Sequence, residues 1–260
     1  MDSNERQRRR QKRYREAMRN RAIAAVVLVA LIVGIVFLIK GCKAKDAPPA
    51  DDQTQQDTVT PDNTAQTPTN TDETLLMVVN PWNPLPEGWT VDLVDCDADG
   101  RKIDSRCYDA LMEMLADCRD AGHVPLICSA YRTQETQQSL YDNKVQRLIN
   151  GGMSQEEAET EAAKAVALPG TSEHQLGLAV DIVDANMQDL TEAQEDTETQ
   201  KWLMANSWRY GFIHRYPNGK TDITGIIYEP WHYRYVGKAA AQDIFNRDIT
   251  LEEYVGAATH

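Results

Sequence analysis

Apolar residues in the second half of the chain recur with two different periods, and the switches between them outline a mixed fold. Between residues 104 and 121, Leu111, Met114, Leu115 and Cys118 return at intervals of three and four, and the run stops at Gly122, which predicts a helix. VPLICSAYR then reads as a strand running out to Arg132. A second helix is predicted over 133–149, with Thr133 as N-cap and NGG as its stop. A third starts at Ser154, where Ser154 and Glu157 fit a capping box. The next strand signal lies in GLAVDIV, at Gly177, Val180, Ile182 and Val183. A helix near 197–209 follows and stops at Gly211. Strand-like stretches GFIHRYP and TGIIYEPWHYRYVG come next, then one or two short helices after Gly237. Strands and helices mix without a regular βαβ alternation, so the expected class is α+β.

The first half is patterned differently. Residues 22–39, AIAAVVLVALIVGIVFLI, are eighteen uncharged and mostly apolar residues, just enough for a helix to span a bilayer. The basic RQRRRQKRYREAMRNR before them places residues 1–21 in the cytoplasm and everything after Lys40 outside, as a single-pass protein of the cell membrane. A cleaved signal peptide is the rival, but the apolar run exceeds a usual signal core and no small-residue cleavage pattern follows. Lipidation of Cys42 is a second rival, with Lys40 standing where a small or apolar residue belongs. Residues 40–74 are rich in Thr, Asp, Gln, Pro and Asn and hold too little apolar surface to offset ordering entropy, so they read as a disordered extracellular tether. The folded domain is expected over 75–260.

Charge follows the same division. Residues 1–40 carry ten Lys/Arg against three acids, and the remainder seventeen against thirty-seven. An acidic exported body argues against nucleic acid as a partner. Cys96, Cys107, Cys118 and Cys128 all fall in that body, where an oxidising compartment permits two disulfides. A helix folding back on the next strand suits Cys118–Cys128, leaving Cys96–Cys107 as the other pair; four reduced thiols are the alternative. No Cys-x2-Cys spacing suggests a thiolate zinc site.

The stretch GTSEHQLGLAVDIV, residues 170–183, carries chemistry. On a strand, Asp181 shares a face with Gly177 and Ala179, while Leu176, Leu178, Val180 and Ile182 fill the other. If His174 is to meet Asp181, it must lie in the loop entering the strand. Farther on, Glu229 and His232 stand three apart in YEPWHYRYVG, where Pro230 disfavours a helix and allows a bend that brings both to one pocket. Two imidazoles and a carboxylate suffice for a catalytic zinc with a water in the fourth position, and a second carboxylate could take that water's proton. His174, Asp181 and His232 with Glu229 would supply that set. Each piece also has a plain explanation: a surface His beside an Asp, or Glu229 paired with an arginine.

SAYRTQETQQSLY, PGTSEHQLGLAVDI and YEPWHYRYVG, in this order, resemble the zinc carboxypeptidases of the VanY type, among the D-alanyl-D-alanine metallopeptidases that act on bacterial cell-wall stem peptides. VVNPWNPLPEGW at 78–89 is similar to the family's usual opening, so the resemblance covers most of 75–255. It implies a small antiparallel sheet with flanking helices and one Zn²⁺ in an open cleft. Its implied ligands are His174, Asp181 and His232, with Glu229 as catalytic base and Arg132 steadying the oxyanion. It also implies substrate contacts at Gln137 and Ser172, for which helix surface and loop cap are the plain alternatives. Trp231 and Tyr233 flank a ligand and either line the pocket or belong to the core. His214 falls where no family ligand is expected. The implied function is a membrane-anchored D,D-carboxypeptidase, a monomer, removing the terminal D-Ala from peptidoglycan stem pentapeptides. An L,D-carboxypeptidase for tetrapeptides and a non-catalytic wall-binding module are the alternatives; intact Arg132 and Glu229 speak against the second.

Overall fold

The structure is a computed structural model that describes residues 72–257. The expected anchor at 22–39 and nearly all of the tether lie outside the described residues, among which no helix is long and apolar enough to cross a membrane.

An antiparallel hairpin, β1 (Leu93–Asp95) and β2 (Lys102–Asp104), leads into helix α1 (Ser105–Asp120). Asp104 caps that helix, its carboxylate accepting from the Arg106 amide at 2.9 Å. The predicted stripe holds: Leu111, Met114, Leu115 and Cys118 are all buried, and Cys107 one turn earlier extends it. Strand β3 (Pro125–Ser129) follows, then α2 (Gln134–Asn150), capped by Thr133, and α3 (Gln155–Ala165), opened by the expected Ser154–Glu157 capping box. A single helical turn, α4 (Glu173–Leu176), precedes β4 (Ala179–Asp184). The remainder is α5 (Glu198–Asn206), β5 (Phe212–His214), the short turn α6 (Thr221–Thr224), β6 (His232–Tyr235), α7 (Lys238–Arg247) and α8 (Leu251–Val255).

Strands β3, β4, β6 and β5 form, in that order, an antiparallel sheet, which with the flanking helices makes an α+β fold. β4 lies in its interior, and its two faces diverge. Leu178, Val180 and Ile182 pack with α1, Phe212 and Tyr233 in the main core. Full burial of each such side chain is worth about 1.5–3 kcal/mol. The other face carries Asp181, paired in register with His232 on β6 and Ser129 on β3. The register shifts between Ile127 and Ser129, so Ile127 sits opposite Ile182 on the core side while Ser129 joins Asp181 on the other.

Gly177 links α4 to β4. It takes φ +89°, and a Cβ there would come within 2.8 Å of Val91 Cγ2, so both backbone and space demand glycine.

Three expectations need correction. Gly177 is the cap of a helical turn, not part of the strand, so His174 projects from α4 and not from an irregular loop. Of TGIIYEPWHYRYVG only His232–Tyr235 is strand, because the Thr221–Thr224 turn and Pro230 interrupt extended pairing before it. All four cysteines are free thiols, against the expected bridges. Cys118 is sealed in the core with Ile127, whereas Cys128 stands at the register shift of β3 and is only part-buried. Cys107 donates instead to the Asp104 carbonyl at 3.2 Å.

Candidate active site

The register just described sets two functional side chains together without any loop. Directly opposed residues of antiparallel strands project to the same side, so Asp181 and His232 meet, Oδ1 to Nδ1, at 3.1 Å. His174 comes from α4, and its Nε2 lies 3.2 Å from Asp181 Oδ2. The two imidazoles stand edge to face with centroids 4.9 Å apart. One donor atom from each of the three residues falls within 4.8 Å of the others, a set that could hold a metal ion. Two observations fit such an ion. Asp181 Oδ1 is buried with no hydrogen-bond partner. His174 Nδ1 lies 2.7 Å from the Ala130 carbonyl, which places its proton on Nδ1 and leaves the Nε2 lone pair facing Asp181.

Glu229 and Arg132 flank the trio. The His232 amide donates to the Glu229 carbonyl at 3.2 Å, closing the bend around Pro230, and Glu229 Oε2 reaches 3.6 Å from His232 Nδ1. Arg132 follows β3, its Nη2 donating to Asp181 Oδ2 at 2.7 Å and its Nε to Ser129 Oγ at 2.8 Å. Its Nη1 reaches Gln137 Oε1 at 3.4 Å. Gln137 is fully buried, with its amide donating to the Ala167 carbonyl at 2.7 Å, so it is not helix surface. Ser172 makes no side-chain cap bond, so the alternative role of loop cap does not apply. All of these and Trp231 line one cleft of about 350 Å³. Tyr233 does not: it faces the core and donates to Gln200 Oε1 at 2.7 Å. His214 pairs with Tyr233 in register, and its Nε2 lies 3.1 Å from the Glu229 carbonyl, a brace behind the site.

Burial and neighbours divide the charges. Burial drives the His174 pKa down to about 4, with Arg132 adding to the effect. Burial pulls His232 the same way, but its carboxylate partners Asp181 and Glu173 outweigh it and raise the pKa to about 9. Burial favours a neutral Asp181, yet His174, His232 and Arg132 hold it well below the usual carboxylate range. Glu229 is pushed up to about 8 by burial, only partly offset by His232.

Sequence reasoning missed the layer beneath. Glu173, fully enclosed, points Oε2 at His232 Nε2 across 3.5 Å, and neither atom has a hydrogen-bond partner. Its Oε1 accepts from Arg215 Nε at 2.7 Å and Arg234 Nη1 at 2.6 Å. Arg215 forks onto Glu252 of α8 at 2.8 and 2.6 Å, and Arg234 donates to the Leu75 and Met77 carbonyls. Two acids and two arginines thus balance inside the fold. The only signal in the sequence was an acid beside the His174 position and two arginines in otherwise strand-like runs.

The VanY family, described as D-alanyl-D-alanine carboxypeptidase, matches residues 100–238, more than half of the chain. The chain belongs to that family. A D-alanyl-D-alanine carboxypeptidase of Enterococcus faecalis is 44% identical over 180 residues, covering 69% of this chain and 65% of that protein, so the match falls just short of two thirds of the relative's length. Among solved structures, VanYB in complex with D-alanine-D-alanine is 44% identical with a TM-score of 0.64, covering 70% of this chain and 97% of that one. A mutant of the VanY D,D-pentapeptidase from a VanB-type resistance cassette, in complex with Zn(II), is 43% identical with a TM-score of 0.64, over 69% and 98%. The LdcB LD-carboxypeptidase is 39% identical with a TM-score of 0.63, over 73% and 89%. VanY membership accounts for the coincidence of motif, register and cleft in this chain.

Proposed function

We propose that this chain is a membrane-anchored zinc D,D-carboxypeptidase that removes the terminal D-Ala from peptidoglycan stem pentapeptides. The observation that carries the proposal is the convergence, in one cleft of a VanY-family domain, of the His174–Asp181–His232 donor set with Glu229 and Arg132 beside it. Zn²⁺ bound by the trio supplies a Lewis acid for the scissile carbonyl and makes an adjacent water more acidic. Glu229 takes a proton from the attacking water and hands it to the leaving amine of the terminal residue. Its raised pKa marks a carboxyl in a water-poor pocket, and a dication in the neighbouring trio favours its ionised form. Arg132 presents a guanidinium edge toward the oxygen that gains charge in the transition state, in a pose fixed by Ser129 and Asp181. Gln137, Ser172 and Trp231 line the space that a terminal D-Ala and its carboxylate would fill.

Residues 22–39 would hold the domain at the outer membrane surface, where newly made stems lie. The likeness to LdcB supports a second specificity, L,D cleavage of tetrapeptides, by the same machinery. Incubation with muropentapeptide and murotetrapeptide, with the products weighed, distinguishes the two. Loss of one alanine from the pentapeptide is expected, and loss from the tetrapeptide alone would replace D,D by L,D specificity.

A further inference from the structure

The cleft continues past the catalytic groups, and its outer wall differs from the rest of the surface. Eight large apolar side chains are well exposed among the described residues; three of them, Leu140, Leu190 and Ile227, line this one cleft from three separate segments. The charges there are equally selective. Residues 72–257 hold fifteen Lys/Arg against thirty-two Asp/Glu, and most of the cations sit in ion pairs. Four cations, Arg119, Lys144, Arg147 and Arg209, make no ion pair with any described residue, and two of them, Lys144 and Arg147, line the cleft. Arg147 donates only to a carbonyl of its own helix, Asn143 O, at 3.3 Å.

Helix α2 sets the distances. Gln137, Leu140, Lys144 and Arg147 follow at intervals of three, four and three, which places them on one face. Gln137 is buried against Arg132 at the catalytic end, whereas Leu140 and Arg147 are exposed and Lys144 is part-buried, so along this cleft-lining face only Gln137 lies at the chemistry and the rest stand farther out. At about 1.5 Å of rise per residue, Lys144 stands about 10 Å and Arg147 about 15 Å along the axis from Gln137. An extended peptide covers those spans in about three to five residues. A carboxypeptidase leaves one residue beyond the scissile bond, so the rest of the substrate must run out along this wall.

We propose that the outer half of the cleft is a subsite for the acyl side of the peptide, with Leu140, Leu190 and Ile227 gripping aliphatic atoms and Lys144 and Arg147 selecting a carboxylate about three to five residues upstream of the cut. The subsite rests on the carboxypeptidase function proposed above. The test uses the zinc-loaded full chain and three peptides ending in D-Ala-D-Ala: one with a free carboxylate at the upstream position, one with an amide there, and an acetylated tripeptide too short to reach it. The unaltered protein should favour the carboxylate peptide over the amide by about tenfold in kcat/KM, mainly through KM, and added salt should shrink that ratio. Lys144→Gln with Arg147→Gln should bring the ratio toward one, and Lys144→Glu with Arg147→Glu should invert it. Equal use of the two long peptides by a protein that cuts the tripeptide would overturn the subsite and leave the carboxypeptidase function standing. A ratio that survives in the double Gln variant would do the same. Failure to cut any of the three would overturn both.

Discussion

Glu173→Gln separates the positioning of a metal ligand from the stability of the fold. Glutamine is nearly isosteric, and its oxygen can still accept from Arg215 and Arg234 as Glu173 Oε1 does. It changes two things. The buried quartet of Glu173, Glu252, Arg215 and Arg234 is left with one excess positive charge, a loss on the scale of about 3–5 kcal/mol for a broken buried pair. Against a domain stability of about 5–15 kcal/mol, the variant should fold with a lowered Tm. The second change is at His232, where an amide N–H replaces carboxylate Oε2 opposite Nε2, now 3.5 Å away. With Nδ1 directed to Asp181, and so the atom that would bind a metal, Nε2 would carry the proton, so donor would face donor and the wrong tautomer would be favoured. Loss of such a partner costs about 10–100-fold in metal affinity. Zinc affinity by chelator competition, measured below the variant's Tm, reads this effect apart from folding. Affinity within twofold of the unaltered protein, alongside a lowered Tm, would make Glu173 purely structural and refute the positioning role.

Glu229→Gln should keep zinc and lose about 10²–10⁴-fold in turnover, because the base is removed and the ligands are untouched; single-turnover kinetics with metal analysis would show it, and near-normal turnover would remove the role. Arg132→Ala should lose rate and also weaken zinc by about 10–100-fold, since Arg132 bonds the Asp181 ligand itself, and unchanged affinity would show that this bond does not orient it. In the metal-free domain, His232 has a folded pKa of about 9 against the ordinary 6.5. Its stabilising contribution is therefore complete below pH 6.5 and lost as pH rises through 9, and Glu229, neutral up to about 8, acts in the same direction. Over that window Tm in chelator should fall while zinc affinity rises, as the proton on His232 leaves more easily; a metal-free Tm that climbs from pH 6.5 to 9 would contradict these charge states.

Much of this site could be read from local sequence, and the reason lies in its construction. Asp181 and His232 meet through strand register, and alternation in AVDIV shows which face is spare. The Pro230 bend that joins Glu229 to His232 was likewise visible as a residue that cannot continue a ladder. What was not legible depends on long-range packing. Glu173, Arg215, Arg234 and Glu252 are ordinary charged residues until the fold encloses them together, and no periodicity marks such a cluster. The Cys118–Cys128 pairing failed for a related reason: Cys128 stands at a register shift of β3 that no spacing in the sequence marks. The β1–β2 hairpin escaped notice because its strands are only three residues long, too short for alternation to register.

In the proposed mechanism one zinc, held by His174, Asp181 and His232, drives removal of a terminal D-Ala. Chelator-stripped protein is titrated with Zn²⁺ while alanine release from a peptide ending in D-Ala-D-Ala is followed. Release should rise linearly from zero to a plateau at one equivalent of zinc, and His232→Ala should stay near zero at that loading. Release by the stripped protein, equal release by His232→Ala, or no release at any loading would contradict the account.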